Sequence, residues 1–494
     1  MKKILLFFSL LPFMLFGQHY VLDNSFGNNG IVITDKNNDD NTFKSLIELN
    51  DNKLLALTYD YSYSTNNPYQ LLKYMPSGDL DINFGVNGFF ELPYNQDIFI
   101  NDILLQNDEK ILLLGNKDIY PLNLFLNRVL SNGEIDLTFG NNGFVEMPGF
   151  VYKKGIIQDD GKIILTGISK INDEYYGKTL KLLPNGELDV TFGENGIVTT
   201  YLNGIFFNTK NILVSNNNIY IHFQIGLHNL MEYNDYIVKY SLTGELDLNF
   251  GSNGILNTHA SDENFSSALN IKENGKLILA IKNEVSYFLT QFEPSGNLDV
   301  SFGTNGIATN DYDFSNYIYG HGINKIIITN DDKLLIYGSL SYDLNGEDAF
   351  KPFLTNHYLN GEVNFDFSIV EESFFANMDL ILQENNNILI VGESFWFEEF
   401  QDIVLTRYTD NILYTNEHSL QKFNIYPNPV TNFLTIDQNI SSNVFLKYSI
   451  NDILGKTILE GKLDVSNSKI DISSINNGIY FIKVNNQSSK FVKK

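Results

Sequence analysis

The chain has no cysteine, one tryptophan, 11 prolines, and 33 basic residues against 59 acidic ones over 494 positions. Without cysteine there is no disulfide, thiolate zinc site, cysteine nucleophile or lipid anchor on an N-terminal cysteine. The shortage of cations, a formal charge of −26, argues against wrapping nucleic acid, whose phosphates need basic partners. It argues equally against electrostatic docking on an anionic membrane. No apolar run reaches the roughly 20 residues of a membrane-spanning helix. The longest, Ile4–Phe16 behind Lys2 and Lys3, reads as the core of a signal peptide, residues 1–18, cut near Gly17 to leave Gln18 or His19 first. Apolar and aromatic residues are plentiful, 43% and 14%, so packed cores are expected.

The unit Leu-Asp-x-x-Phe-Gly-x-x-Gly starts at Leu22, Leu80, Leu188, Leu246 and Leu298, and with isoleucine at Ile135. A worn copy runs from Val363 to Phe367, with Asn364 for Asp and Ser368 for Gly. A second element recurs in phase: Lys53-Leu-Leu, then apolar runs opening at Lys110, Lys162, Lys276, Lys333 and Asn387, with Ile219-Tyr-Ile as a weaker copy. A third precedes each later motif, as in Leu71–Tyr74 and Thr179–Leu183. Each unit therefore reads as four strands, A to D, with A after the motif and C the continuous apolar run. Seven such units predict an all-β fold, a seven-bladed β-propeller of four-stranded blades over residues 19–410. Six or eight blades stay open, because one C strand is weak and one motif is degenerate. The chain is expected to enter at strand A of the first blade and leave after strand D of the last, closing the ring without strand exchange. His19–Val21 or Ile412–Tyr414 is available as a latch. The motif resembles the delta-60 repeat family, which implies a propeller-like shape and little about function.

A residue that recurs in every unit is expected to serve folding. Asp81, Asp136, Asp189, Asp247 and Asp299 are read as side-chain acceptors that close a turn on the backbone two or three residues on. The alternative is a ring of carboxylates for calcium or a basic ligand. Phe84, Phe139, Phe192, Phe250 and Phe302 are read as anchors in the core between blades. Gly85, Gly140, Gly193, Gly251 and Gly303 belong to the same motif. Gly133, Gly186, Gly244 and Gly296 are expected at turns needing positive φ.

Residues 421–494 carry nine lysines against five acids, a net of +4, leaving −32 on residues 19–420. Such asymmetry marks two units, with 411–422 as linker. The pattern over 423–494 gives short strands at Phe433–Ile436, Val444–Ile450, Lys456–Leu463, Ser468–Asp471, Gly478–Val484 and Lys490–Val492, hence a small β-sandwich. Tyr426, Pro427, Asn428 and Pro429, then Gly455, Gly478 and Tyr480, occur in the order of the type IX secretion C-terminal sorting domain, which this segment resembles. The resemblance implies the type IX machinery as partner, passage through the outer membrane, and a cell-surface or secreted destination.

No His-Glu-x-x-His helix, Gly-x-Ser-x-Gly elbow or phosphate loop is present. His222 and His228 are read as structural. Asp343–Asp348 is oxygen-rich, but its glycine is misplaced for a calcium loop and the closing Glu is missing. No catalytic residue, metal ligand or cofactor is assigned, and calcium alone stays open. Variation concentrates in the C–D connections: Asp60–Gln70, Ser169–Lys178, Ile225–Asp235, Ser339–Ala349 and Glu393–Gln401. A ligand is expected on that face, with Phe395, Trp396 and Phe397 as candidates to stack on a sugar or grip a peptide. The competing reading packs Trp396 over the last blade. The favoured function is a non-catalytic binding, adhesion or scaffold module for an extracellular glycan or protein. The alternative is an extracellular polysaccharide lyase or hydrolase.

Overall fold

The computed structural model describes the chain from Tyr20 onward except 36–40, 61–67, 95–96, 118–122, 172–173, 203–205, 227–232, 259–265, 283–285, 311–319, 345–346, 368–374, 395–401, 411–423, 438–445, 453–455, 464–468 and 485–486. All regular structure among these residues is β. The chain divides into two compact units, Met1–Asp410 and Asn411–Lys494.

The first unit is a succession of antiparallel sheets built alike. In the first sheet Asn41–Glu48, Leu54–Asp60, Tyr69–Tyr74 and Phe89–Glu91 lie side by side in chain order. The last of these is strand A of the following repeat, so each sheet straddles two repeats as B, C, D and the next A. The cause is local. The motif makes a tight corner after strand D, and the chain returns antiparallel along it, pairing Leu72 with Phe89 and Gln70 with Glu91.

This phase corrects the expected closure. Ile31–Thr34, the first strand A, has no preceding strand D and pairs instead with Ile403–Asp410, near the end of the unit. Tyr20–Leu22 extends the same edge, as the proposed His19–Val21 latch anticipated from Tyr20 on. Strands are therefore exchanged between the two ends of the unit.

The C strands read as continuous apolar runs because both their faces are covered. Leu55, Ala56, Leu57, Leu112, Leu113 and Leu114 are fully buried. Successive residues turn to opposite sides. Leu55 and Leu57 pack with Ile100, Ile103 and Leu113 of the second sheet, while Leu54 and Ala56 pack with Leu389, Val391 and Leu405 of the last. The B strands touch the B strands of neighbouring sheets, including Phe375–Leu382 against Asn41–Glu48. They are the strands nearest the axis of a propeller.

Two of the variable C–D connections are mostly ladder. Lys333–Leu344 and Glu347–Tyr358 pair through Asp343 and Asp348, so both ends of the oxygen-rich Asp343–Asp348 segment lie in the ladder. Ile163–Ile171 and Glu174–Leu182 pair likewise through Ile171 and Glu174. Their polar residues alternate along extended strands, which resembles loop composition.

In the second unit, Asn424–Tyr426, Phe433–Asp437 and Lys469–Asp471 form one sheet. Leu446–Asn451, Thr457–Leu463, Gly478–Val484 and Gln487–Lys493 form another. Leu434, Ile436 and Ile470 share a core with Ile450, Ile482 and Phe491. The observed strands lie within a few residues of the expected ones.

Candidate functional site

Two features recur around the first unit, the motif corner and a bulge in the innermost strands. Only the second differs in character from sheet to sheet.

At each corner the motif aspartate accepts the backbone N–H two residues on. Thr138 N donates to Asp136 Oδ1 at 3.0 Å, Thr191 N to Asp189 at 3.2 Å, and Ser301 N to Asp299 at 3.0 Å. Asn83 N and Asn249 N do the same for Asp81 and Asp247. The other oxygen meets a cation, which the sequence reading missed. Lys162 Nζ is 2.9 Å from Asp189 and Lys276 Nζ 2.8 Å from Asp299, with Lys53 on Asp81 and Lys110 on Asp136. These lysines open the C strands. Where that position is Asn218 or Asn387, the cation comes from strand D. Lys239 reaches Asp247 at 2.9 Å, and Arg407 reaches Asp23 at 2.8 Å. In the worn copy, Asn364 Nδ2 donates to Asn356 Oδ1 at 3.3 Å, a neutral pair, and Lys333 sits over the Tyr358 ring. This matched exchange was the sequence signal for the ion pair.

Thr191 and Lys162 hold the Asp189 carboxyl down at about 2 against the opposing effect of burial. At Asp136 burial is the largest effect and raises the pKa, but Thr138, Arg128 and Lys110 together bring it to about 2. The phenylalanines beside the corners are buried, Phe139 and Phe250 completely. Arg128 lies 4.6 Å over Phe139 and Lys181 5.7 Å over Phe192. Gly186 has φ 90° and Gly193 φ 53°. A side chain on Gly193 would run into the Ile197 carbonyl oxygen. One position escapes this logic. The residue after the aspartate is aliphatic and exposed in five copies, at Ile82, Leu137, Val190, Leu248 and Val300.

The innermost strands carry a bulge near their start in six sheets. The register slips between Phe43 and Ser45, Ile100 and Asp102, and Tyr152 and Lys154. It slips again between Thr209 and Asn211, Ile323 and Lys325, and Ala376 and Asp379. Ser267–Ile271 pairs without a slip. A bulge sets two residues of one strand against a single residue of its neighbour and re-aims side chains. The paired residues are polar and differ: Lys44 and Ser45, Asn101 and Asp102, Lys153 and Lys154, Lys210 and Asn211, Asn324 and Lys325. Some of them tie sheet to sheet. Ser45 Oγ donates to Asp102 at 2.9 Å, and Tyr152 Oη donates to the same carboxylate at 3.2 Å. Lys325 Nζ donates to Asp379 at 2.9 Å. The residues before the bulges are pinned from the preceding sheet. Glu393, buried, accepts Phe43 N at 2.6 Å, and Asn116 Oδ1 accepts Tyr152 N at 2.7 Å.

Beside this girdle lies a buried acid. Asp235 Oδ2 is 3.3 Å from His222 Nε2, both almost wholly buried, without the alignment of a good hydrogen bond. Burial pushes the Asp235 carboxyl up, but His222, Ser267 and Lys210 outweigh it and the net shift is downward. His357 is also enclosed. Its Nε2 is 2.7 Å from Tyr287 Oη, and burial lowers its pKa to about 4.

Phe395, Trp396 and Phe397 lie outside the described residues, as do Gly455, His228 and the signal segment. In the second unit, Asn428 Oδ1 accepts Val492 N at 2.9 Å and Asn428 Nδ2 donates to Lys490 O at 3.1 Å, joining the Tyr426–Pro429 segment to the last strand. Tyr480 stacks on Phe491 with ring centres 5.8 Å apart and donates to Asn476 O.

A family model described as the secretion system C-terminal sorting domain matches residues 424–494. A second, a β-propeller domain of unknown function, matches residues 158–192. No curated protein matches the chain. Among solved structures, the polysaccharide lyase Uly1 is 10% identical with a TM-score of 0.47, over 75% of this chain and 90% of that one. Prolyl oligopeptidase B of Galerina marginata is 9% identical with a TM-score of 0.45, over 90% of this chain and 55% of that one. The GH43 endo-arabinanase of Bacillus licheniformis is 9% identical with a TM-score of 0.29, over 52% of this chain and 94% of that one. Likenesses this faint assign no activity.

Proposed function

Starting from a chain that ends in a secretion system C-terminal sorting domain, and so is exported by the type IX route to the cell surface or the medium, we propose that its body is a seven-bladed, delta-60-like β-propeller serving as a non-catalytic binding or scaffold module. The sorting domain is read as a small β-sandwich handed to the type IX machinery. The observation that carries the binding reading is the contrast between corners and girdle. The charged residues that recur at the corners are used up in turns and ion pairs. The polar residues that vary sit at bulges around the axis. Uniform residues serve every blade alike, whereas a ligand selects particular ones. These bulges lie in the part of each B strand that follows the A–B connection. In a propeller that is the side of the C–D connections.

One observation favours the alternative, an enzyme acting on extracellular polymer. Lys210, His222 and Asp235 bring three titratable groups together beside the axis. Incubating the exported protein with a panel of extracellular glycans separates the readings. Saturable binding without new reducing ends or unsaturated products supports the module. Turnover overturns it. An unchanged ligand profile for Trp396→Ala removes the aromatic segment from the site.

A further inference from the structure

The first unit is strongly acidic, yet its innermost strands gather lysines. Five of the ten residues in the bulge pairs from Lys44 to Lys325 are lysine. Three of them, Lys153, Lys154 and Lys210, lie on the neighbouring strands Val151–Ile157 and Phe206–Ser215. Several other lysines of the unit have carboxylate partners, Lys162 on Asp189, Lys239 on Asp247, Lys276 on Asp299 and Lys325 on Asp379, and Lys181 and Lys272 donate to backbone carbonyls. Among the described residues, no carboxylate forms an ion pair with Lys153, Lys154 or Lys210. Thr209, buried and next to Lys210, keeps a hydroxyl without a hydrogen-bond partner. Burial pushes the Lys210 ammonium down and Lys154 pushes it further, with only Asp235 opposing. A like charge bearing on a partly desolvated ammonium, as exposed Lys154 bears on Lys210, is costly unless a counter-charge joins them.

We propose that Lys153, Lys154 and Lys210 form the anion-binding part of the site, taking the carboxylate of an acidic saccharide at the axis. This rests on the binding-module reading above and names its ligand class. The saccharide follows from the rest of the girdle. Exposed Asn101, on the strand Ile98–Leu105 that neighbours Val151–Ile157, offers an amide donor and acceptor suited to hydroxyl groups. The overall charge sets the size of the anion. A body of net −32 repels a long, densely charged polymer. A single carboxylate needs only the local field of three ammonium groups, because other charges are screened over about 8 Å at physiological salt.

The test is calorimetric titration of the exported full chain with three probes: free glucuronate, a short oligo-uronate and the neutral glucose oligomer of the same length. Binding of oligo-uronate, weakened at least about fivefold in Lys154→Gln and in Lys153→Gln at unchanged melting temperature, supports the site. Lys210→Gln should weaken it further. Because Lys210 also feels the Asp235 charge, the Lys153→Gln and Lys154→Gln variants decide the matter. Binding of free glucuronate as well places recognition in the carboxylate and its own ring, whereas binding of the oligomer alone requires neighbouring sugars. Uronate binding that the Lys153→Gln, Lys154→Gln double variant leaves intact overturns the inference, as does failure of both uronates at low salt while the neutral oligomer binds. Either result leaves the binding-module reading standing. Turnover of oligo-uronate by a site that these variants weaken keeps the inference and overturns the non-catalytic reading.

Discussion

Corners and bulges both recur around the first unit, but they repeat different things. At the corner the chemistry repeats: an aspartate, its turn and a cation, with Asn364 the one departure. At the bulge only the geometry repeats, and the residues run from Lys153 and Lys154 to Asn101 and Asp102. A position under a per-sheet folding demand keeps its residue. A position that needs only to be polar is free to differ.

Substitutions should separate the two regions by size of effect. Gly193→Val combines positive φ with a clash against backbone, and should cost about 3 kcal/mol in denaturant unfolding. A near-neutral result would mean that the corner yields, and the contrast would weaken. Asp189→Ala removes bonds from Thr191 N, Thr191 Oγ1 and Lys162 Nζ, and should cost about 2 kcal/mol. Asn364→Ala should cost less than half of that, since it removes one neutral hydrogen bond; equal losses would refute the ion pair's importance.

Acid sharpens the same point. The Asp136 and Asp189 carboxyls are held at about 2 in the fold, below the unfolded value of about 3.9. Their stabilisation is therefore full above that unfolded value and is lost as pH falls from about 4 towards 2. A pH series of melting temperatures should fall across that window, and Asp189→Asn should fall less steeply. At the girdle, Lys154→Gln should change stability by no more than about 0.5 kcal/mol, and a large loss would make it a folding residue. Val190→Ser, at an exposed aliphatic position, should have the smallest effect, within about 0.5 kcal/mol.

The corners were legible because their causes are local. An aspartate with a hydroxyl or amide residue two positions on, and glycines at fixed offsets, spell out a turn without knowledge of the rest. The ion pair was written as well, in the exchange of Lys162-type residues for Lys239 and Arg407, but reading it required knowing that strand C opens and strand D ends beside the same aspartate. The bulges were not legible, since one extra residue in a strand leaves no mark except a polar pair such as Lys153 and Lys154 inside an apolar run. Strand exchange failed for another reason. The repeat boundary in sequence falls at the motif, while the sheet boundary falls one strand later. In the small second unit, where pairing is short-range and alternation regular, the strands came out nearly in full.

The exchanged strands also set an order of events. Arg407 holds Asp23 across 384 residues, stacks on Phe26 with 4.3 Å to the ring centre, and donates to Pro76 O at 2.7 Å. The last sheet is therefore incomplete until the earliest strands and the late strand Ile403–Asp410 are both present. Closing so long a loop carries an entropic cost that grows only slowly with length, but it makes this the most non-local step of folding, and such steps are slow. A chain that still lacks its last strands can build the middle sheets one after another and yet cannot become a finished body. Completion is thereby tied to the presence of both ends of the unit, and a piece clipped short at either end would leave the same seam open.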